Sequence, residues 1–185
     1  MEPSERFPLL HRPERWDWAS ITMQFRTEPP ADRLVSSTHV VAFVDEHVVL
    51  CRDQRAHVWF LPGRTREPGE AVADSLAREL MEEAGARLLG DFHPIGAHVG
   101  VSDADRPYRP HLPHPEKAWL WGWAEAEIVG PPTLPDGGER IEEVRLFPIE
   151  EAARRAVEDA VWLGELIILA AERRATFRSE ERGTG

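Results

Sequence analysis

Cysteine is nearly absent from this 185-residue chain. Cys51 stands alone and can form no internal disulfide, which fits a reducing compartment and sets the expectation of a cytoplasmic protein. In an apolar strand it reads as a small core residue rather than a nucleophile. Basic residues are scarce too, with 22 Lys and Arg against 33 Asp and Glu and a net charge of −11. Sequence-independent nucleic-acid binding relies on basic patches that neutralise phosphates, so no nucleic-acid partner is expected. Long apolar runs are also missing, and none approaches the roughly 18 residues of a membrane span. The opening MEPSERFPLLHRPERWDW is broken by charge and proline and lacks the apolar centre of a signal peptide, so no membrane partner is expected. His93, His98, His111 and His114 lie close together but form no zinc spacing. They read as loop or strand-surface residues.

What is present suits one domain with a sizeable core, at 42% hydrophobic residues. Residues 1–33 read as an N-terminal extension able to add one strand in WDWASITMQFRT, with residues 1–15 loosely packed. Residues 34–178 read as a single domain, and 179–185 as a frayed tail. HVVAFV and VVLCR flank Asp45-Glu46-His47 as a β-hairpin, and Val58–Leu61 leads as a strand into Pro62-Gly63. A helix follows over about 71–84. Strands are then expected over 87–101, over Lys117–Ile128 and in EVRLFPI, with helices over 149–157 and 160–177. Trp119, Trp121 and Trp123 alternate on one strand face as packing residues. Trp16 and Trp18 lie outside the obvious core, where one of them could stack on a nucleobase. The fold class is therefore α/β (α+β), a mixed sheet between helices.

The richest segment is LPGRTREPGEAVADSLARELMEEAGA, residues 61–86. Its helix carries Glu79, Glu82 and Glu83 within an arc of roughly 100°. Ala73, Leu76, Ala77, Leu80, Met81 and Ala84 fill the other side. Like charges three and four apart cost a helix about 0.2–0.5 kcal/mol per pair, so such a face expects a cation, and Mg²⁺ suits its oxygen ligands. A solvated acidic face is the plainer alternative. Gly63 and Gly69 permit tight turning, and Arg78 can pair with a carboxylate to join helix and loop.

This segment resembles the Nudix box, G-x5-E-x7-R-E-U-x-E-E-x-G-U with U aliphatic. Glu70, Arg78, Glu79, Leu80, Glu82, Glu83 and Gly85 match in order and spacing. Arg64 replaces the glycine from which the pattern counts, and Ala86 is small for the closing aliphatic position. The resemblance implies a Nudix-like mixed sheet sandwiched between helices. It also implies hydrolysis of a diphosphate linkage in a nucleoside diphosphate derivative, with Mg²⁺ as cofactor and Mn²⁺ as a substitute. The metal ligands it implies are the Gly63 carbonyl, Glu79, Glu82 and Glu83. Arg78 would orient Glu79, which serves as ligand or base, while Glu70 stabilises the loop.

A further acidic residue from outside the box is expected in many relatives. Glu139 is the first candidate, followed by Glu142 and Glu143, with Glu116 behind them; all could equally be surface charges. Arg64 either alters the loop backbone or reaches a phosphate, and Arg106 and Arg109 in the Pro-rich loop 102–115 are candidate phosphate contacts. The partner is a nucleotide or nucleotide derivative, and a homodimer is compatible. A Nudix-like domain that binds without catalysis is the alternative, favoured by Arg64 and opposed by the intact glutamates. An isoprenoid diphosphate isomerase is disfavoured by the Leu50-Cys51-Arg52 context. Family marks for ADP-ribose, diadenosine polyphosphate and coenzyme A substrates are missing, so the substrate stays open.

Overall fold

The computed structural model of the protein describes residues 3–134 and 141–183. In chain order the elements are α1 (Pro3–Arg6), α2 (Pro8–His11), β1 (Glu14–Trp16), β2 (Ile21–Arg26), β3 (Val35–Val44), β4 (His47–Asp53), β5 (Trp59–Phe60) and β6 (Gly63–Thr65). They continue with α3 (Val72–Ala84), β7 (Ala86–Leu88), β8 (His93–Ser102), β9 (Glu116–Ile128), β10 (Ile141–Pro148), α4 (Ile149–Ala156) and α5 (Leu163–Gly183).

The main sheet runs β1-β2-β8-β9-β3-β4-β10, with β5 on β4, β6 on β3 and β7 on β9. Pairing is antiparallel except between β3 and β9, which run parallel with His39 opposite Trp121. The expected β3–β4 hairpin turns at Asp45-Glu46, where Asp45 sits at φ 52°. Aspartate tolerates that left-handed backbone better than most residues.

Alternation along the central strands divides the core. Val41 and Phe43 of β3, with Trp121 and Trp123 of β9, pack on the face covered by α4 and α5. Val40, Ala42, Ala124 and Ala126 face the other way and meet Leu76, Leu80 and Ala84 of α3. A mixed sheet between helices results, as the sequence pattern implied. Leu76 and Leu80 are fully buried, each contributing about 2 kcal/mol through removal from water.

Two features differ from expectation. Residues in the first fifteen are packed rather than loose: Phe7 and Leu10 are buried in the main core cluster, and β1 joins β2, so the extension adds two strands. Short, proline-broken segments lack a periodic signal, and here tertiary burial holds them. At the other end, α5 continues through Gly183, so residues 179–183 are helical. Arg174 on that helix is buried, forms a two-pronged pair with Glu125 at 2.8 Å and lies over the Phe43 ring.

Candidate active site

Helix α3 is attached to the sheet at both ends. Near its start, Thr38 of β3 donates from its hydroxyl to Ser75 at 3.0 Å. At its end Gly85 adopts φ 61° and closes the helix through bonds to the Leu80 and Met81 carbonyls. The Gly85 carbonyl accepts from Val129 and Gly130, and Thr133 donates its N–H to the Glu82 carbonyl at 3.1 Å. The loop after β9 is thereby held against the glutamate end of the helix.

The buried side of α3 is Ser75, Leu76, Glu79, Leu80, Glu83 and Ala84. Ala73 and Ala77, expected on an apolar inner face, are exposed, whereas Glu79 and Glu83 are only 2% and 1% exposed. The helix is therefore rotated so that two carboxylates face inward, toward the β3–β6 edge.

Arg78 organises that side. Its guanidinium makes a two-pronged contact with Glu70 at 2.7 and 2.9 Å, and also donates to Glu79 Oε1 at 2.5 Å and Glu82 Oε2 at 3.3 Å. The Arg78 bonds hold the Glu70 carboxyl below its usual range. Burial pushes the Glu79 carboxyl up, against the pull of Arg78. Glu79 Oε2 is buried without a hydrogen-bond partner among the described residues.

Gly63 stands opposite. Its N–H donates to Glu83 Oε2 at 2.9 Å, and it pairs with His39 in β3. At φ 138° a Cβ would lie 2.2 Å from the Thr38 carbonyl oxygen, so only glycine fits. Arg64, next along, brings its Nε to 3.1 Å from Glu83 Oε1. Arg78 and Arg64 thus draw the carboxylates toward themselves. Among the described residues no three His, Cys, Asp or Glu side chains gather closely enough to enclose an ion. Four carboxylates face two guanidiniums here, and Glu79 retains an unpaired buried oxygen. In donor chemistry and charge these residues fit a hard divalent cation.

The site opens into a cleft of about 780 Å³, lined at this end by Gly63, Arg64, Glu83 and His39 and farther on by tryptophans. His39 receives no emphasis in the sequence, where it merely begins an apolar strand. Its ring stacks on Trp121 at 4.3 Å and its Nε2 lies 2.8 Å from Ser37 Oγ. Burial, aided by the charge of Arg64, lowers its pKa to about 3, so it is neutral. Glu14 and Trp162 also line the cleft, and only long-range packing brings them there.

The remaining candidates are dispersed. Glu139 lies outside the described residues. Glu142 pairs with His57 at 3.0 Å and Arg52 at 3.5 Å, and Glu143 pairs with Arg145. Glu116 is exposed at the start of β9. Arg109 lies 3.7 Å from Glu67, while Arg106 is exposed and borders an adjoining cavity with Tyr108. His98, read as a surface residue, is in fact 1% exposed and lies 4.3 Å from the Trp162 ring; burial lowers its pKa to about 3. Cys51 is fully buried and its thiol pKa is pushed up, as suits a core residue.

Comparison with known proteins agrees with this architecture. A variant of the Bacillus subtilis pyrophosphohydrolase BsRppH is similar, with a TM-score of 0.59 and 17% identity over 83% of this chain and 92% of that one. A NUDIX hydrolase from Nitrosomonas europaea gives a TM-score of 0.53 and 18% identity, over 74% and 87%. Both likenesses concern the fold. No curated protein matches the chain. The NUDIX domain profile matches residues 33–167, most of the chain. With the helix, its arginine and its glutamates in place, the chain belongs to the NUDIX family.

Proposed function

We propose that the protein is a Mg²⁺-dependent pyrophosphohydrolase that cleaves a diphosphate linkage in a nucleoside diphosphate derivative. One observation carries this reading: two buried carboxylates, Glu79 and Glu83, face the Gly63–Arg64 turn at the end of a cleft large enough for a nucleotide. The Gly63 carbonyl, Glu79, Glu82 and Glu83 would hold the ion, with Mn²⁺ as substitute. When bound, the ion supplies positive charge to the phosphates and lowers the pKa of water.

The chain's own groups define the rest. Arg78 fixes Glu79 through Oε1, leaving Oε2 as the acceptor for a proton or a ligand bond. The Gly63 N–H fixes Glu83, so helix and turn keep their spacing. Arg64 places a guanidinium where a diphosphate entering the cleft would meet it. In the reaction a water oxygen forms a bond to phosphorus and the bridging P–O bond breaks. The water's proton passes to a base, and the leaving phosphate departs with the bonding pair.

On this reading the substrate is a nucleotide derivative; the net charge of −11 argues against sequence-independent nucleic-acid binding, and the lone cysteine fits a reducing, cytoplasmic location. Among the described residues no helix is long and apolar enough to cross a membrane. One observation favours binding without catalysis: the Arg64–Glu83 pair supplies a cation of the chain's own. Incubation with dNTPs, nucleotide sugars, ADP-ribose and dinucleoside polyphosphates, with and without Mg²⁺, separates the readings. Metal-dependent cleavage of one class supports hydrolysis; tight binding with no cleavage replaces it with the sensor reading.

A further inference from the structure

The far end of the cleft is built from indoles drawn from three parts of the chain. Trp16 and Trp18 flank the start of the sheet, Trp119 lies on β9, and Trp162 precedes α5. Trp16 lies 4.4 Å from Trp119 and stacks with Trp18 at 6.3 Å. Trp18 is 63% exposed and meets the exposed Tyr108 edge-on at 6.5 Å, so this wall stays open to a ligand. Large exposed rings held in mutual contact at a cleft are uncommon unless something is to be covered.

Glu14 is inserted among these rings. Both Trp16 Nε1, at 3.1 Å, and Trp162 Nε1, at 2.8 Å, donate to the same oxygen, Oε2, and Oε1 takes neither bond. The lining as a whole is acidic. Glu14, Asp53, Glu83, Glu158 and Asp159 border it, and Arg64 is the one permanently charged cation among the described lining residues. Arg64 sits at the Gly63 end, beside Glu83. The Gly63 end carries Arg64 beside Glu83, and the indole end carries Glu14, Glu158 and Asp159 with π-faces, while Arg106 and Lys117 line the adjoining cavity that shares Trp18, Tyr108 and Trp119.

The geometry points to a subsite for a positively charged nitrogen group, either a quaternary ammonium or an N-alkylated heteroaromatic ring, on the substrate's end remote from the Gly63 turn. A cation over an indole face is held by the ring quadrupole, and a carboxylate among the rings adds to that attraction. A neutral group of the same shape gains only its area burial, and an anion is repelled. The proposal deepens the hydrolase reading by assigning the class of group attached to the nucleotide or present on its base, and it rests on that reading for the orientation of the substrate.

Binding to the metal-free full-length chain tests it without turnover, so failure of the hydrolase reading and failure of this one are distinguishable. Calorimetric titrations pair choline with its neutral isostere 3,3-dimethyl-1-butanol, and 7-methylguanosine with guanosine. The expected result is a preference of about tenfold for the cation in at least one pair. A preference confined to choline identifies the onium source, and one confined to the nucleoside identifies the alkylated base. Trp18→Ala, at an exposed ring that leaves the core intact, should reduce that preference several-fold, and Glu14→Gln should do the same. Equal binding within both pairs, or a preference unchanged in Trp18→Ala, overturns the proposal.

Discussion

Arg64 and Arg78 occupy the same acidic pocket for different reasons. Arg78 makes a planar, two-pronged contact with Glu70 that an ammonium cannot reproduce. Arg78→Lys should therefore lower kcat about 10- to 100-fold, the scale of losing a group that orients metal ligands, while circular dichroism stays native. Unchanged kcat would remove Arg78 from its positioning role. On the proposed reading Arg64 instead would compete: its guanidinium would have to leave Glu83 before a metal ion could use that carboxylate. Arg64→Gly should tighten Mn²⁺ binding roughly tenfold, the factor that corresponds to about 1.4 kcal/mol, measured by titration followed through electron paramagnetic resonance. Weaker binding would show that Arg64 supports the metal site rather than shielding it.

At the scale of elements, α3 and its two flanking loops act as a unit. A Cβ on Gly85 would lie 2.1 Å from the Gly130 carbonyl oxygen, and φ is positive there. Gly85→Ala should destabilise the protein by about 1–3 kcal/mol in urea unfolding and displace the loop that Thr133 ties to Glu82. A stability within error of the parent would contradict that coupling. Helix α3 was legible in the sequence because Arg78, Glu79, Glu82 and Glu83 lie within two turns of one helix, where spacing specifies their relative geometry. Its rotation was not legible, since apolar Ala73 and Ala77 outvoted Glu79 in any reading by hydrophobicity. His39, Glu14 and Trp162 were invisible for another reason. They reach the cleft through β3–β9 pairing and through the packing of β1 against the turn before α5, contacts that no local pattern encodes. The packed residues before Glu14 failed likewise, because helices of four residues exist only by docking on α5.

For the whole molecule, acid should be the weakness, and the sign follows from three shifted groups. His39 and His98 are held neutral, each with a folded pKa of about 3 against an ordinary value near 6.5. The unfolded chain thus binds more protons as pH falls, and stability drops between about pH 6.5 and pH 3. Glu70, lowered by Arg78, contributes stability above its ordinary range that is lost as pH falls through its folded pKa. Urea midpoints should fall between pH 7.5 and pH 5, and His98→Gln should flatten that fall. A midpoint independent of pH over this window would show that the histidines are not held neutral. The same core joins the N-terminal strands to the central sheet, so loss of packing at His98 would reach the tryptophan cleft as well.

The measurement that bears most directly on the proposed hydrolytic centre is Mg²⁺-dependent turnover of the best substrate from the panel by the parent and by Glu82→Gln. Glu82 is partly exposed, so the substitution preserves volume and leaves the core untouched. The expected result is a loss of roughly 100-fold or more with native unfolding behaviour. Turnover that survives in Glu82→Gln would place the chemistry elsewhere and contradict the assignment of helix α3 as its seat.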